Sequence, residues 1–182
     1  ASKLAAVYLY DRQIDKCIKV LDDSKFDLLP NELKLERLYL RSRAHLLDKN
    51  YDKVIELLNN IDTKESLNIL AEVYWKKKDW KITVNILEKS LGQRWQSNEP
   101  LNINERNQIM QMTVALALLD DWENLSKVRN NWLNLMSDSV DSEPFDILTL
   151  NPDTESINFR RVAGRIAQTD TLDAFMKRYK KN

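Results

Sequence analysis

The chain is short of glycine, proline and cysteine: two, four and one in 182 residues. Tight sheet turns draw on glycine for backbone with positive φ, so two glycines cannot serve a β protein of this length. Gly92 and Gly164 also lie far apart, which excludes a glycine-rich phosphate loop. A lone cysteine, Cys17, forms no intramolecular disulfide, and cysteine-based metal sites need several ligands. It stands among apolar helical positions and reads as a small buried residue. No apolar run approaches the roughly 18–20 residues of a membrane-spanning helix. No charged leader or cleavage site accompanies residues 1–10, which argues against a signal peptide. The helical pattern already running at residue 1 leads us to expect a piece of something longer. The cysteine count leaves cytoplasm and periplasm both open.

Charge of one sign is missing too. Lys+Arg and Asp+Glu are both 28, so formal net charge is zero. No global basic field points to nucleic acid or to a membrane surface. The one short basic run, Lys177–Lys181, reads as a solvated helix end, with a phosphate or lipid contact as the alternative.

What is present is helical periodicity. Hydrophobic residues make up 43% and charged residues an interspersed 31%, the mix of solvated helix faces over a core. Tyr51, Val54, Ile55, Leu58 and Ile61 share one face. So do Trp80, Val84, Leu87 and Leu91, and again Trp122, Leu125, Val128, Trp132 and Leu135. The spacing predicts helices at about 1–10, 13–22, 31–47, 51–60, 63–77, 80–91, 103–119, 122–136, 156–168 and 171–180. Pro30 should open the third. Asp62 with Glu65, and Asn102 with Glu105, have capping-box spacing. The stretches 92–102 and 137–155 read as irregular, the second packing through Phe145, Ile147 and Leu148. This gives helical repeats over 1–136, a linker over 137–155 and a C-terminal capping helix pair over 156–182.

The helices come in pairs with similar turns. Asp11-Arg12-Gln13-Ile14-Asp15, Lys49-Asn50-Tyr51-Asp52, Lys78-Asp79-Trp80, Asp120-Asp121-Trp122-Glu123 and Asp170-Thr171-Leu172-Asp173 each set a polar turn before a large apolar residue, usually followed by an acid. The acid suits the positive end of the next helix. Nine residues before each large residue stands a small one: Ala5, Ser42, Ala71, Thr113 and Ala163. A small side chain there lets two helices approach. Three residues further on stand Tyr8, His45, Tyr74, Leu116 and Ile166.

This pattern resembles the tetratricopeptide repeat, most closely over Leu67-Asn68-Ile69-Leu70-Ala71-Glu72-Val73-Tyr74 with Trp80. The resemblance covers about five degenerate pairs and nearly the whole chain. It departs from the family in three ways. The inter-helix turns lack glycine. The small position of the second helix holds Cys17, Val54, Thr83, Leu125 and Phe175. The large residues are spaced by 37, 29, 42 and 50 against about 34. From Leu91-Gly92-Gln93-Arg94-Trp95 to Thr171-Leu172-Asp173-Ala174-Phe175 the chain also looks like the end of large alphaproteobacterial repeat proteins. The resemblance implies an all-α superhelix of stacked hairpins whose first helices line a groove.

On that register the groove would carry Tyr10, Tyr39, Arg43, Asn68, Glu72, Trp75, Lys76 and Met110. Trp75 is the sharpest candidate, because it follows an inward-packing Tyr74 and tryptophan dominates interface energetics. Its bland alternative is that it covers a neighbouring helix or touches 137–155. The carboxylate clamp of some family members is missing, since Ala6, Tyr39 and Glu65 stand in that stretch. Trp80, Trp122 and Trp132 read as core, and Trp95 as a loop residue that folds over the third pair or joins an interface.

No catalytic, cofactor or metal constellation emerges. His45 lies at a core-facing position, and a Cys17–His45 dyad is the remote alternative. Asp22-Asp23 and Asp120-Asp121 read as turn and cap residues. The expectation is therefore a non-enzymatic scaffold binding a protein or peptide. The alternative is a structural capping or self-associating segment, possible as a homo-oligomer, of a larger repeat protein.

Overall fold

The computed structural model describes residues 1–24 and 28–150. Among them the regular structure is helical, without strands. The helices expected at 156–168 and 171–180, with Ala163, Ile166, Leu172, Phe175 and the basic run, lie outside the described residues. The chain divides between Lys78 and Asp79 into two compact units, each taken by itself below.

The first unit holds α1 (Ser2–Tyr10), α2 (Ile14–Asp23), α3 (Asn31–Leu47), α4 (Tyr51–Leu58) and α5 (Lys64–Lys76). Its packing is serial. α1 lies against α2, α3 against both α1 and α2, and α5 against both α3 and α4. Ala5, Cys17, Leu21 and Ala44 form a buried cluster under Tyr8, Leu9, Ile14, Ile18 and Leu40. The small positions Ala5 and Ser42 are fully buried and Ala71 nearly so, as close helix approach requires.

The second unit holds α6 (Trp80–Leu91), a single 3-10 turn (Arg94–Gln96), α7 (Ile103–Leu118), α8 (Trp122–Ser137) and α9 (Ser142–Thr149). From Ile109 to Ala117 α7 is buried on nearly every side, through Ile109, Met110, Met112, Val114, Ala115, Leu116 and Ala117. A helix apolar all round belongs in a core, and α6, α8 and α9 all pack against this one. Helix α9 departs from expectation, since the composition of 137–155 predicts irregular chain. Its Pro144 falls in the first helical turn, where no intrahelical N–H is lost. Phe145 and Leu148 are buried, whereas Ile147 is 41% exposed. Arg129 on α8 donates to Asp146 and Thr149, both at 2.7 Å. Arg106 on α7 pairs with Asp141, the N-cap of α9, at 3.3 Å.

Helix starts follow side-chain chemistry. Pro30 is the N-cap of α3. Asn102 and Glu105 form the expected capping box. At α5 the box shifts by one residue: Thr63 and Ser66 make it, rather than Asp62 and Glu65. The Thr63 hydroxyl accepts from the Ser66 amide at 3.2 Å, which leaves Glu65 available to pair with Arg43. At the far end of α2, Arg37 donates to the Leu21 carbonyl at 2.5 Å and Arg41 pairs with Asp22 at 2.6 Å. Cations there satisfy the orphan carbonyls and the negative helix end.

The missing turn glycines have a structural answer. Arg12, Lys49, Lys78 and Asp120 have φ of 57°, 59°, 59° and 55°, the left-handed region that glycine normally fills. Each precedes an N-cap with nearly the same backbone: Gln13 at −91°/72°, Asn50 at −83°/69°, Asp79 at −87°/80° and Asp121 at −87°/73°. In three of these turns two crossed hydrogen bonds close the helix end. Gln13, Asn50 and Asp121 N–H reach back to Tyr8, His45 and Leu116 carbonyls at 2.8, 2.9 and 3.0 Å. Arg12, Lys49 and Asp120 N–H reach Leu9, Leu46 and Ala117 carbonyls at 3.0, 3.0 and 3.2 Å. This is the Schellman closure, built without glycine.

Left-handed backbone costs a side-chain-bearing residue about 1–2 kcal/mol, partly offset by glycine's extra unfolded-state freedom. Lys49→Gly should therefore stabilise the chain by about 0.5–1 kcal/mol in urea unfolding, with Lys49→Ala unchanged. A loss on going to glycine would contradict this account of the turns.

Candidate functional site

Counting from the small residue of each first helix places the expected groove residues in one register. Three residues before it stand Tyr39 and Asn68, one after it Arg43 and Glu72, and five after it Tyr10 and Lys76. These positions are spaced by four and share a helix face. On α1, α3 and α5 that face is largely polar or exposed. Tyr10 is 89% exposed, Glu72 and Lys76 are exposed, and Asn68 is half-buried. Trp75, beside this face, is half-buried.

Tyr39 and Arg43 are engaged within the unit. The Tyr39 hydroxyl shares a hydrogen bond with the Thr63 hydroxyl at 2.7 Å. Arg43 pairs with Glu65 at 2.5 Å. Both contacts tie α3 to the start of α5. Met110 does not belong with the group. It is fully buried, in the same register as Tyr39 and Asn68. On α7 this face also carries Arg106 and Val114, and Arg106 holds the start of α9. An additional helix, illegible in the Ser- and Asp-rich sequence, thus packs against α7 where the register predicts exposed residues.

The remaining tryptophans divide. Trp132 is 3% exposed and belongs to the core. Trp80 and Trp122, expected in the core, are half-buried at the first position of α6 and α8. Trp95 is half-buried in the 3-10 turn and lines a cleft of about 240 Å³ with Leu91, Met112, Val128 and Trp132. Arg94 anchors this turn, pairing with Glu105 at 3.0 Å and donating to the Glu99 and Pro100 carbonyls at 2.9 and 3.0 Å.

The polar and titratable groups nearest to chemistry have structural surroundings. Cys17 is fully buried, and desolvation raises its thiol pKa against a smaller opposing effect of Arg41. That disfavours the thiolate a nucleophile needs. His45 is half-buried. Burial lowers its pKa first, then the cations Arg41 and Lys53, against Asp48 and Asp22. Asp121 caps α8. Among the described residues no three His, Cys, Asp or Glu side chains come together as metal ligands. No described helix is long and apolar enough to cross a membrane. The Ser42 hydroxyl is buried without a hydrogen-bond partner, a penalty tolerated where only a small side chain fits. Comparison with known proteins returns no matching family model, no matching curated protein and no matching solved structure.

The direction of the His45 shift sets a pH dependence. Its folded pKa lies below the ordinary 6.5, so between the two values the unfolded chain holds a proton that the folded chain does not. Stability present above about pH 6.5 is then lost as pH falls towards the folded pKa. Urea midpoints measured from about pH 7.5 down to about pH 5.5 should fall more for the native sequence than for His45→Gln. Equal slopes would show that His45 titrates as it does in the unfolded chain.

Proposed function

We propose that the chain is a non-catalytic interaction scaffold, a tetratricopeptide-like solenoid that holds a peptide or protein partner along its first helices. The observation that carries the reading is the register. Equivalent positions of α1, α3 and α5 bring Tyr10, Arg43, Glu72 and Lys76 onto corresponding faces, with Trp75 beside them. Serial packing of α1 to α5 sets these faces in order along the unit. Tyrosine, tryptophan and arginine supply most of the energy in protein interfaces, and mixed charge on Glu72 and Lys76 gives orientation. Tyr39 and Arg43, bonded to Thr63 and Glu65, serve this reading as positioning groups, and Trp75 is its proposed anchor because tryptophan dominates interface energetics. The even charge balance favours a protein over nucleic acid.

The test is affinity capture from native lysate with the native chain and with Trp75→Ala, followed by titration calorimetry on the captured partner. Trp75→Ala should weaken binding by more than about 1 kcal/mol and leave the urea midpoint nearly unchanged. A fold-wide loss of stability with no separate loss of affinity would make Trp75 a packing residue and remove the anchor.

A further inference from the structure

The repeat register defines a second surface, distinct from the groove face. Immediately before the small residue stand Leu4, Arg41, Leu70 and Met112, and two after it stand Val7, Ala44, Val73 and Ala115. These two positions are three apart and share a helix face. In α3, α5 and α7 the face is covered. Ala44, Val73 and Ala115 are 0% exposed, Leu70 is 8% and Met112 2%. Arg41 pairs with Asp22 of α2, which makes the second helix of the preceding pair the cover in α3. α3 packs on α2, α5 on α4 and α7 on α6. In α1 alone among these four helices the face is open, with Leu4 at 47% and Val7 at 54% exposed.

We propose that the Leu4–Val7 face of α1 is a docking surface for one further amphipathic helix, packed as α4 packs on α5. The nearest chemical equivalent of Leu4 and Val7 is the buried Leu70–Val73 pair of α5, a helix that packs on α4. The two outward residues are uncharged, so the incoming helix must bring an apolar face. A buried, unpaired charge there would outweigh the contact. The surface is equivalent in register to an interface that the chain already repeats internally, and it is separate from the proposed partner groove.

The experiment extends the chain with a copy of its own residues 31–66 joined ahead of Ala1. Ala1 and Leu67 both stand four residues before their small residue, so the join brings a copy of α4 to α1 in register. The extended chain should have a higher urea midpoint than the chain itself. Val7→Glu should leave the chain's own midpoint unchanged, because Val7 is solvent-exposed, and should lower the extended chain's by about 0.5 M or more. Leu4→Glu should behave in the same way. No rise on extension, or equal loss in both chains, would overturn the proposal. So would a concentration-dependent dimer of the chain that Val7→Glu abolishes in sedimentation, because it would give this face to a second copy.

Discussion

The structure depends on how closely consecutive helices can approach, and that is set by one small side chain in each first helix. Ala5, Ser42, Ala71 and Thr113 are at most 3% exposed. Their size, not their polarity, is what the position demands. Two are hydroxyl residues, and only Thr113 returns its hydroxyl to the helix, bonding the Ile109 carbonyl at 2.8 Å. Ser42 leaves its hydroxyl unsatisfied. A fold that tolerates a buried orphan hydroxyl rather than a larger apolar group is constrained first by volume.

Closeness brings a second constraint. Helices packed that tightly need a short, reproducible reversal, and the turn supplies it by placing one residue in left-handed backbone. Residue type signals this only at Asp120, because Arg12, Lys49 and Lys78 are not residues from which positive φ is ordinarily inferred, whereas aspartate is enriched there. The visible regularity lies one and two residues later, in a polar N-cap and then Ile14, Tyr51, Trp80 or Trp122. The helices themselves are legible because a period of 3.6 repeated over many turns is a strong signal. Local chemistry close to a helix start is less so. Asp62 and Thr63 are both good caps, and only the backbone of Thr63, extended at −126°/156°, decides between them. α9 is hidden in the sequence because Ser, Asp and Pro144 look like loop composition, although Pro144 stands where a helix accepts it.

The candidate site is legible in register and only partly in role. Spacing places Tyr10, Arg43, Glu72 and Lys76 at corresponding positions, which needs nothing beyond the repeat. It cannot reveal that Arg43 and Tyr39 are bonded to the start of α5, since those contacts join residues 22 and 24 apart. Nor can it reveal that the same face of α7 is buried, because that depends on α9. Burial of one face in one helix and exposure in others is a tertiary fact laid over an identical local pattern.

The most direct measurement of the central claim is amide hydrogen exchange at the turns. Gln13, Asn50 and Asp121 stand just outside their helices, yet their N–H groups are bonded across the turn to Tyr8, His45 and Leu116. Slow exchange at these three amides, comparable with the helix interiors, is the expected result. Exchange at the rate of an unstructured chain would mean that the close reversals do not form, and the serial packing built on them would fall with them.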